Sequence, residues 1–251
     1  MGVGAVRSSG AVVAALAAAT LLAWIVSIDA MRGMDAGPGT DLGAFGWFLG
    51  VWVSMMAAMM LPSATPIALL VARLRDGVAA CLFVAGYLVS WTLYGLAAYG
   101  AYRALRVAAP SFVAWDAHGP WVAGAALAAA GLYQLTPLKT SCLRHCRSPL
   151  GYLLRARGGA FGSLRAGAGH GAYCIGCCFG LMLALFALGV MSLVWMAAVA
   201  AAILVEKTMP GGRRAAVALA GVLVALGLWV AVRPASVPGL TQPHPMETMH
   251  P

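Results

Sequence analysis

Five of the six cysteines in this 251-residue chain fall between Cys142 and Cys178, a segment of 37 residues. Cys142-Leu-Arg-His-Cys146 sets two thiols four residues apart, and residues at i and i+4 of a helix share a face, with His145 beside them. Cys174-Ile-Gly-Cys177-Cys178 sets three thiols at i, i+3 and i+4, again on one face. His170 lies one turn before Cys174, within Gly167–Gly171, a glycine-rich stretch whose freedom would let the imidazole swing toward the same place. These segments offer five sulfurs and two imidazoles, more than a tetrahedral ion needs. Neither CxxxC nor CxxCC is the CxxC of a zinc finger, so the pattern points to a soft metal without selecting one. Arg144 and Arg147 flank the first pair, and cationic neighbours lower a thiol pKa, which favours the metal-binding thiolate. The alternative is that the cysteines pack as small apolar residues. That suits Cys81, alone in an apolar run, better than cysteines in an Arg-rich loop.

Thioethers form a second group. In Met55-Met56-Ala57-Ala58-Met59-Met60 the pairs Met55/Met59 and Met56/Met60 make two adjacent ladders on a helix. Methionine is also an adaptable core filler, so the spacing alone is compatible with packing. Thiolate and thioether together favour Cu(I) above zinc, and strongly above magnesium or calcium. His244, Met246, Met249 and His250 sit in a Pro-rich tail, residues 234–251, read as flexible: either a copper-capturing arm or simply a disordered end. Glu206 closes an apolar run and is followed by Lys207, which suggests an interfacial ion pair or a carboxylate that meets a passing cation.

The elements that must position these groups follow from composition. The chain is 62% hydrophobic and 9% charged, too few charges to coat a soluble globule of this size, which excludes soluble enzymes and disordered proteins. The net charge of +9 does not imply a nucleic-acid partner, because the basic residues sit between apolar runs, where they orient a chain in a bilayer. The expected class is all-α: a polytopic transmembrane bundle occupying residues 1–233, with a Cys/Arg-rich loop at 136–171. Seven runs read as spans: Ala11–Ile28, Ala44–Val71, Val78–Ala101, Trp121–Leu135, Ala172–Val190, Ser192–Val205 and Ala215–Val232. The shortness of the sixth leaves a six-span arrangement with a re-entrant segment open. The first run has a longer apolar core than a signal peptide and is kept as a span.

With the amino terminus inside, twelve of the 16 Lys and Arg residues fall on the inner side, and the Cys-rich segment becomes the largest inner loop. Thiols in a reducing cytoplasm stay free. The second run carries Pro62 and Pro66 and should tilt or break there, so Leu61–Pro66 is either a site wall of freed carbonyls or a packing kink. Gly86, Gly95, Gly124 and Gly131 would allow close packing of a dimer. Trp47, Trp52, Trp91, Tyr94, Trp121 and Trp195 suit interface belts and interhelical packing. Nucleotide-binding and hydrolase motifs (Walker loop, dinucleotide fingerprint, HExxH, GxSxG) are absent.

At Met55–Pro66 (MMAAMMLPSATP), Tyr133–Pro149 (YQLTPLKTSCLRHCRSP), Cys174–Met182 (CIGCCFGLM) and Glu206-Lys207 the sequence resembles a family of predicted metal-binding integral membrane proteins, catalogued as domain of unknown function 2182. The resemblance runs from about Gly46 to Pro210. It implies a multi-pass protein of the bacterial inner membrane that binds metal, with copper handling proposed. It assigns interest to Met55, Met56, Met59, Met60, Cys142, His145, Cys146, Cys174, Cys177, Cys178 and Glu206. The expected function is to bind and handle Cu(I), zinc being the other candidate ion. The expected partners are the lipid bilayer, the metal ion, and a metallochaperone or a metalloenzyme under assembly. Two rivals stand beside it: a membrane thiol–disulfide oxidoreductase, and a structural subunit of a larger membrane complex.

Overall fold

A computed structural model describes residues 3–32, 42–108, 118–147, 159–209, 212–237 and 240. Among them the regular elements are all helical: α1 (Val3–Met31), α2 (Phe45–Leu74), α3 (Gly77–Ala108), α4 (Gly119–Gln134), α5 (Pro137–Arg147), α6 (Ala160–Leu188), α7 (Leu193–Thr208), α8 (Gly212–Val232) and a 3-10 turn at Pro234–Ser236. The all-α class read from the apolar runs is the one that forms. Five stretches, Gly10–Met31, Phe45–Leu74, Gly77–Ala108, Ala160–Leu188 and Arg213–Val232, are long and apolar enough to cross a membrane. Their outer faces expose Leu21, Leu22, Ile25, Leu93, Val222 and Leu228, as expected where lipid is the solvent. The other two expected spans, α4 and α7, have 16 residues each. At 1.5 Å per residue they reach ~24 Å, short of a ~30 Å hydrocarbon core.

This mismatch in length makes a step in the bundle. Helix α6 has 29 residues and runs on past the ends of α4 and α7. At that level Tyr133, in the last turn of α4, donates its hydroxyl to the Gly176 carbonyl at 2.6 Å, and Lys207, in the last turn of α7, reaches Cys174. The short helix α5 lies in the step. Its start is written in the sequence: Thr136 Oγ1 accepts the Lys139 amide, and Pro137 occupies the first helical position, where its missing N–H costs nothing. One face of α5 then buries Lys139, Leu143 and Cys146 at i, i+4 and i+7.

Three expectations are corrected here. Gly167–Gly171 is not flexible loop but α-helix, and α6 starts at Ala160 rather than near 172. The glycines serve close helix packing. A Cβ on Gly167 would run into the Phe83 backbone of α3, and a Cβ on Gly171 would stand 2.7 Å from Ser90 Cβ. Ser90 Oγ seals the contact by donating to the Ala168 carbonyl at 2.8 Å. The proposed dimer glycines are likewise used inside the chain: Gly86 packs on α6, Gly95 receives the Trp52 indole, and Gly124 and Gly131 pack on α8.

Nor does α2 break at Pro62 and Pro66; it is continuous helix through both. Beside the prolines, Ser63 Oγ donates to the Met60 carbonyl at 2.9 Å and Thr65 Oγ1 to the Leu61 carbonyl at 2.8 Å, hydroxyls bonded back onto their own helix.

Candidate metal centre

About four turns into α6, Cys174, Cys177 and Cys178 point to one side, as their spacing requires. Their Sγ atoms all lie within 4.8 Å of one another, and all three residues are buried. Helix α5 supplies a fourth thiol: Cys146 Sγ stands 3.6 Å from Cys177 Sγ, the same distance that separates Cys177 from Cys178. Cys142, one turn earlier on α5, is only half-buried and rests against Gly176, where a Cβ would lie 2.6 Å from its sulfur. Gly176 therefore lets α5 lie close enough to α6 for Cys146 to arrive. All six cysteines are free, and Cys81 is exposed on the outer face of α3, away from the others.

The group nearest to the thiols in charge is a lysine. Lys207 Nζ donates to Cys174 Sγ at 2.9 Å and to Ser63 Oγ at 3.1 Å. On the other side of Cys174 the Tyr87 hydroxyl stands 3.0 Å from the sulfur. These two donors from α7 and α3 are placed to hold a metal-bound thiolate in position and to offset its charge. The arginines expected to depress the thiols of α5 do not do so. The Cys142 thiol is pushed up by burial, and that of Cys146 is pushed up chiefly by hydrogen bonding with Cys174, because Arg144 and Arg147 project away on the exposed face.

Glu206 does not pair with Lys207. Adjacent helical residues point about 100° apart, and Glu206 turns to α5 instead, where Lys139 Nζ donates to its two oxygens at 2.6 and 2.7 Å. Gln134 Oε1 also accepts from Lys139, and all three side chains are buried. Lys139, Tyr87, Ser63 and Gln134 were missed in the sequence reading, and Lys207 was read only as an interfacial partner of Glu206. The available signal was polar residues at the borders of apolar runs, which pack into the step rather than into headgroups.

The remaining sequence candidates divide. His170 is buried one turn before Cys174, with its ring stacked on Tyr87 at 5.6 Å between centroids and near Phe83 at 5.8 Å. His145 is exposed: its ring stacks on Tyr173 at 4.5 Å and its Nδ1 donates to the Ser141 carbonyl at 2.9 Å. Met55, Met56, Met59 and Met60 are all buried, in the same core cluster as Cys146, Cys174, Cys177 and Cys178. That cluster also contains Met182, which follows Cys178 by four residues on α6 and extends the Cys174–Cys178 stripe into a thioether. His244, Met246, Met249 and His250 lie outside the described residues.

Neither a curated protein nor a solved structure matches the chain. A family model described as PpoB2, copper chaperone, matches residues 49–230. It upholds the relation to copper that the motifs implied, and not the number 2182. The matched span contains every cysteine, the methionine ladder, Lys139 and Lys207, and the chain belongs to the PpoB2 copper chaperone family.

Proposed function

We propose that the protein holds copper as Cu(I) on the thiolates of Cys174, Cys177 and Cys178, joined by Cys146, and passes it to a metallochaperone or a metalloenzyme under assembly. Its place is the bacterial inner membrane, with the thiol cluster toward the inner side. The observation that carries this reading is the set of three buried sulfurs within 4.8 Å of one another, in a chain of a copper chaperone family. Soft thiolates favour Cu(I), while zinc, a borderline ion, is the competing occupant. Three thiolates on a monovalent ion leave excess negative charge, and the Lys207 ammonium beside Cys174 offsets part of it. The buried thioethers of α2 and Met182 are neutral soft donors that hold Cu(I) weakly enough to release it toward the thiols.

The test is anaerobic purification, Cu(I) titration against a competing chelator, and X-ray absorption at the metal edge. Sulfur neighbours at about 2.3 Å on a copper edge are expected. A zinc edge would reassign the ion, and unchanged copper content after Cys146, Cys174, Cys177 and Cys178 are all replaced by serine would remove the site.

One observation favours a second reading. Cys146 and Cys177, 3.6 Å apart on different helices, suit thiol–disulfide exchange. Thiol trapping in cells under oxidative stress separates the two: an oxidised fraction supports exchange, and fully reduced thiols leave copper.

A further inference from the structure

Behind the Lys139–Glu206 pair, at the α5 end of the bundle, α4, α5 and α8 enclose a cavity of about 260 Å³. Lys139, Arg144, Arg147 and Arg213 line it together with Gln134 and Thr140, and no acidic side chain does. Among the described residues no carboxylate pairs with any of the three arginines. The wall holds one further donor. Because the Lys139 ammonium can only donate, it fixes Gln134 with Oε1 toward itself, which leaves the amide Nε2, a buried donor, with no partner. Buried donors are normally satisfied, so an unpaired one in a basic cavity marks a place for an acceptor-rich anion.

The cavity does not end in solvent. Leu135 and Val217 line it and also line a groove between α4 and α8 that continues through Leu132, Val224 and Leu228. This groove is almost wholly apolar, and Leu132, Leu135 and Leu228 are exposed on the face that meets lipid. A basic pocket opening into an apolar groove along a helix pair has the shape of one molecule: a phosphate-bearing head with hydrocarbon chains.

We propose that this cavity and groove bind an anionic phospholipid, the phosphate held by Arg144, Arg147 and Arg213 with the Gln134 amide, and an acyl chain laid between α4 and α8. The positive-charge bias of the loops puts this pocket at the inner leaflet, where anionic lipids carry the negative surface potential. Occupancy ties α5 to α8. Since α5 delivers Cys146 to the thiol cluster, the lipid acts on the position of the fourth sulfur without touching metal.

Native mass spectrometry of the full-length protein tests this without copper. The protein is released from vesicles of equimolar phosphatidylglycerol and phosphatidylcholine, and the retained lipids are counted. Selective retention of phosphatidylglycerol is expected, lost by about fivefold for each arginine removed in the series R213Q, R144Q/R213Q and R144Q/R147Q/R213Q. Equal retention of the two lipids by the wild-type protein, which needs no variant and no folding control, would overturn the proposal. So would unchanged retention in a triple variant that keeps the wild-type melting profile. Millimolar inorganic phosphate should not strip the lipid; stripping by phosphate alone would assign the pocket to a soluble anion and end the lipid reading.

Discussion

Two neighbouring residues at the end of α7 carry the contrast on which the site rests. Glu206 and Lys207 point about 100° apart on the helix, and each enters a polar group on a different neighbour. On the Glu206 side the charges close: a carboxylate, an ammonium and an amide oxygen meet within one hydrogen-bonded set. On the Lys207 side they do not. Among the described residues its partners are a serine hydroxyl and a cysteine sulfur, and no carboxylate pairs with it. The first group is complete as folded and positions α5 against α7. The second has a positive charge facing sulfur, and on the function proposed above a metal-bound set of thiolates would supply the negative charge that balances it. The two lysines are told apart by what faces them: a carboxylate for Lys139, a thiol for Lys207.

The sharpest way to break this contrast is to unbalance the closed side. Replacing Glu206 by leucine leaves the Lys139 ammonium buried without a counter-ion, at a cost of about 3–5 kcal/mol. Thermal unfolding in detergent should show it, with Glu206→Leu/Lys139→Met recovering most of the loss because the pair is removed together. If Glu206→Leu melts like the wild type, the pair does not hold α5 in place.

The opposite result is expected at Lys207. With no carboxylate to strand, Lys207→Met should leave apo stability close to wild type or raise it, since a buried ammonium is exchanged for a thioether of similar length. Its effect falls on metal: Cu(I) affinity should drop by about 10–100-fold, the usual cost of losing a partner that orients a ligand. Chelator competition reads the affinity and the melting curve reads the fold. Equal destabilisation by Lys207→Met and Glu206→Leu would erase the distinction between the two sides.

Much of this was legible in the sequence, and the part that was not has a common cause. The spacing of Cys174, Cys177 and Cys178 fixes their shared face on any helix, and the apolar runs give helices. The CxxxC reading paired Cys142 with Cys146, but the two differ in depth, because α5 lies across α6 and only its inner turn reaches the thiols. Depth of that kind comes from the lengths of α4 and α7, and the apolar runs blur those lengths at their ends. The glycines of Gly167–Gly171 mislead for the same reason. Glycine marks flexibility in a loop and close approach in a membrane helix, and the neighbour decides between them. Adjacency misled at Glu206, where the chain neighbour is Lys207 and the spatial partner is Lys139.

A smaller effect is expected at Tyr87, the second donor beside Cys174. Tyr87→Phe keeps the packing against His170 and removes one hydroxyl, worth about 0.5–1.5 kcal/mol. That is a fewfold to about tenfold weakening of Cu(I), smaller than for Lys207→Met because no charge is lost. A Tyr87→Phe protein that binds as weakly as Lys207→Met would show that position, rather than charge, is what Lys207 contributes.

The smallest effects are expected at Cys142 and His145, and they test whether the cluster ends at Cys146. Cys142 rests on Gly176 outside the group of mutually close sulfurs, and His145 spends its Nδ1 on the Ser141 carbonyl while its ring covers Tyr173. Cys142→Ser and His145→Ala should each leave Cu(I) affinity within about twofold of wild type, which corresponds to less than about 0.5 kcal/mol. Cys146→Ser should weaken it clearly more. If Cys142→Ser instead matches Cys146→Ser, helix α5 must rotate on loading to bring both sulfurs to the metal, and the half-buried position of Cys142 describes only the unloaded protein.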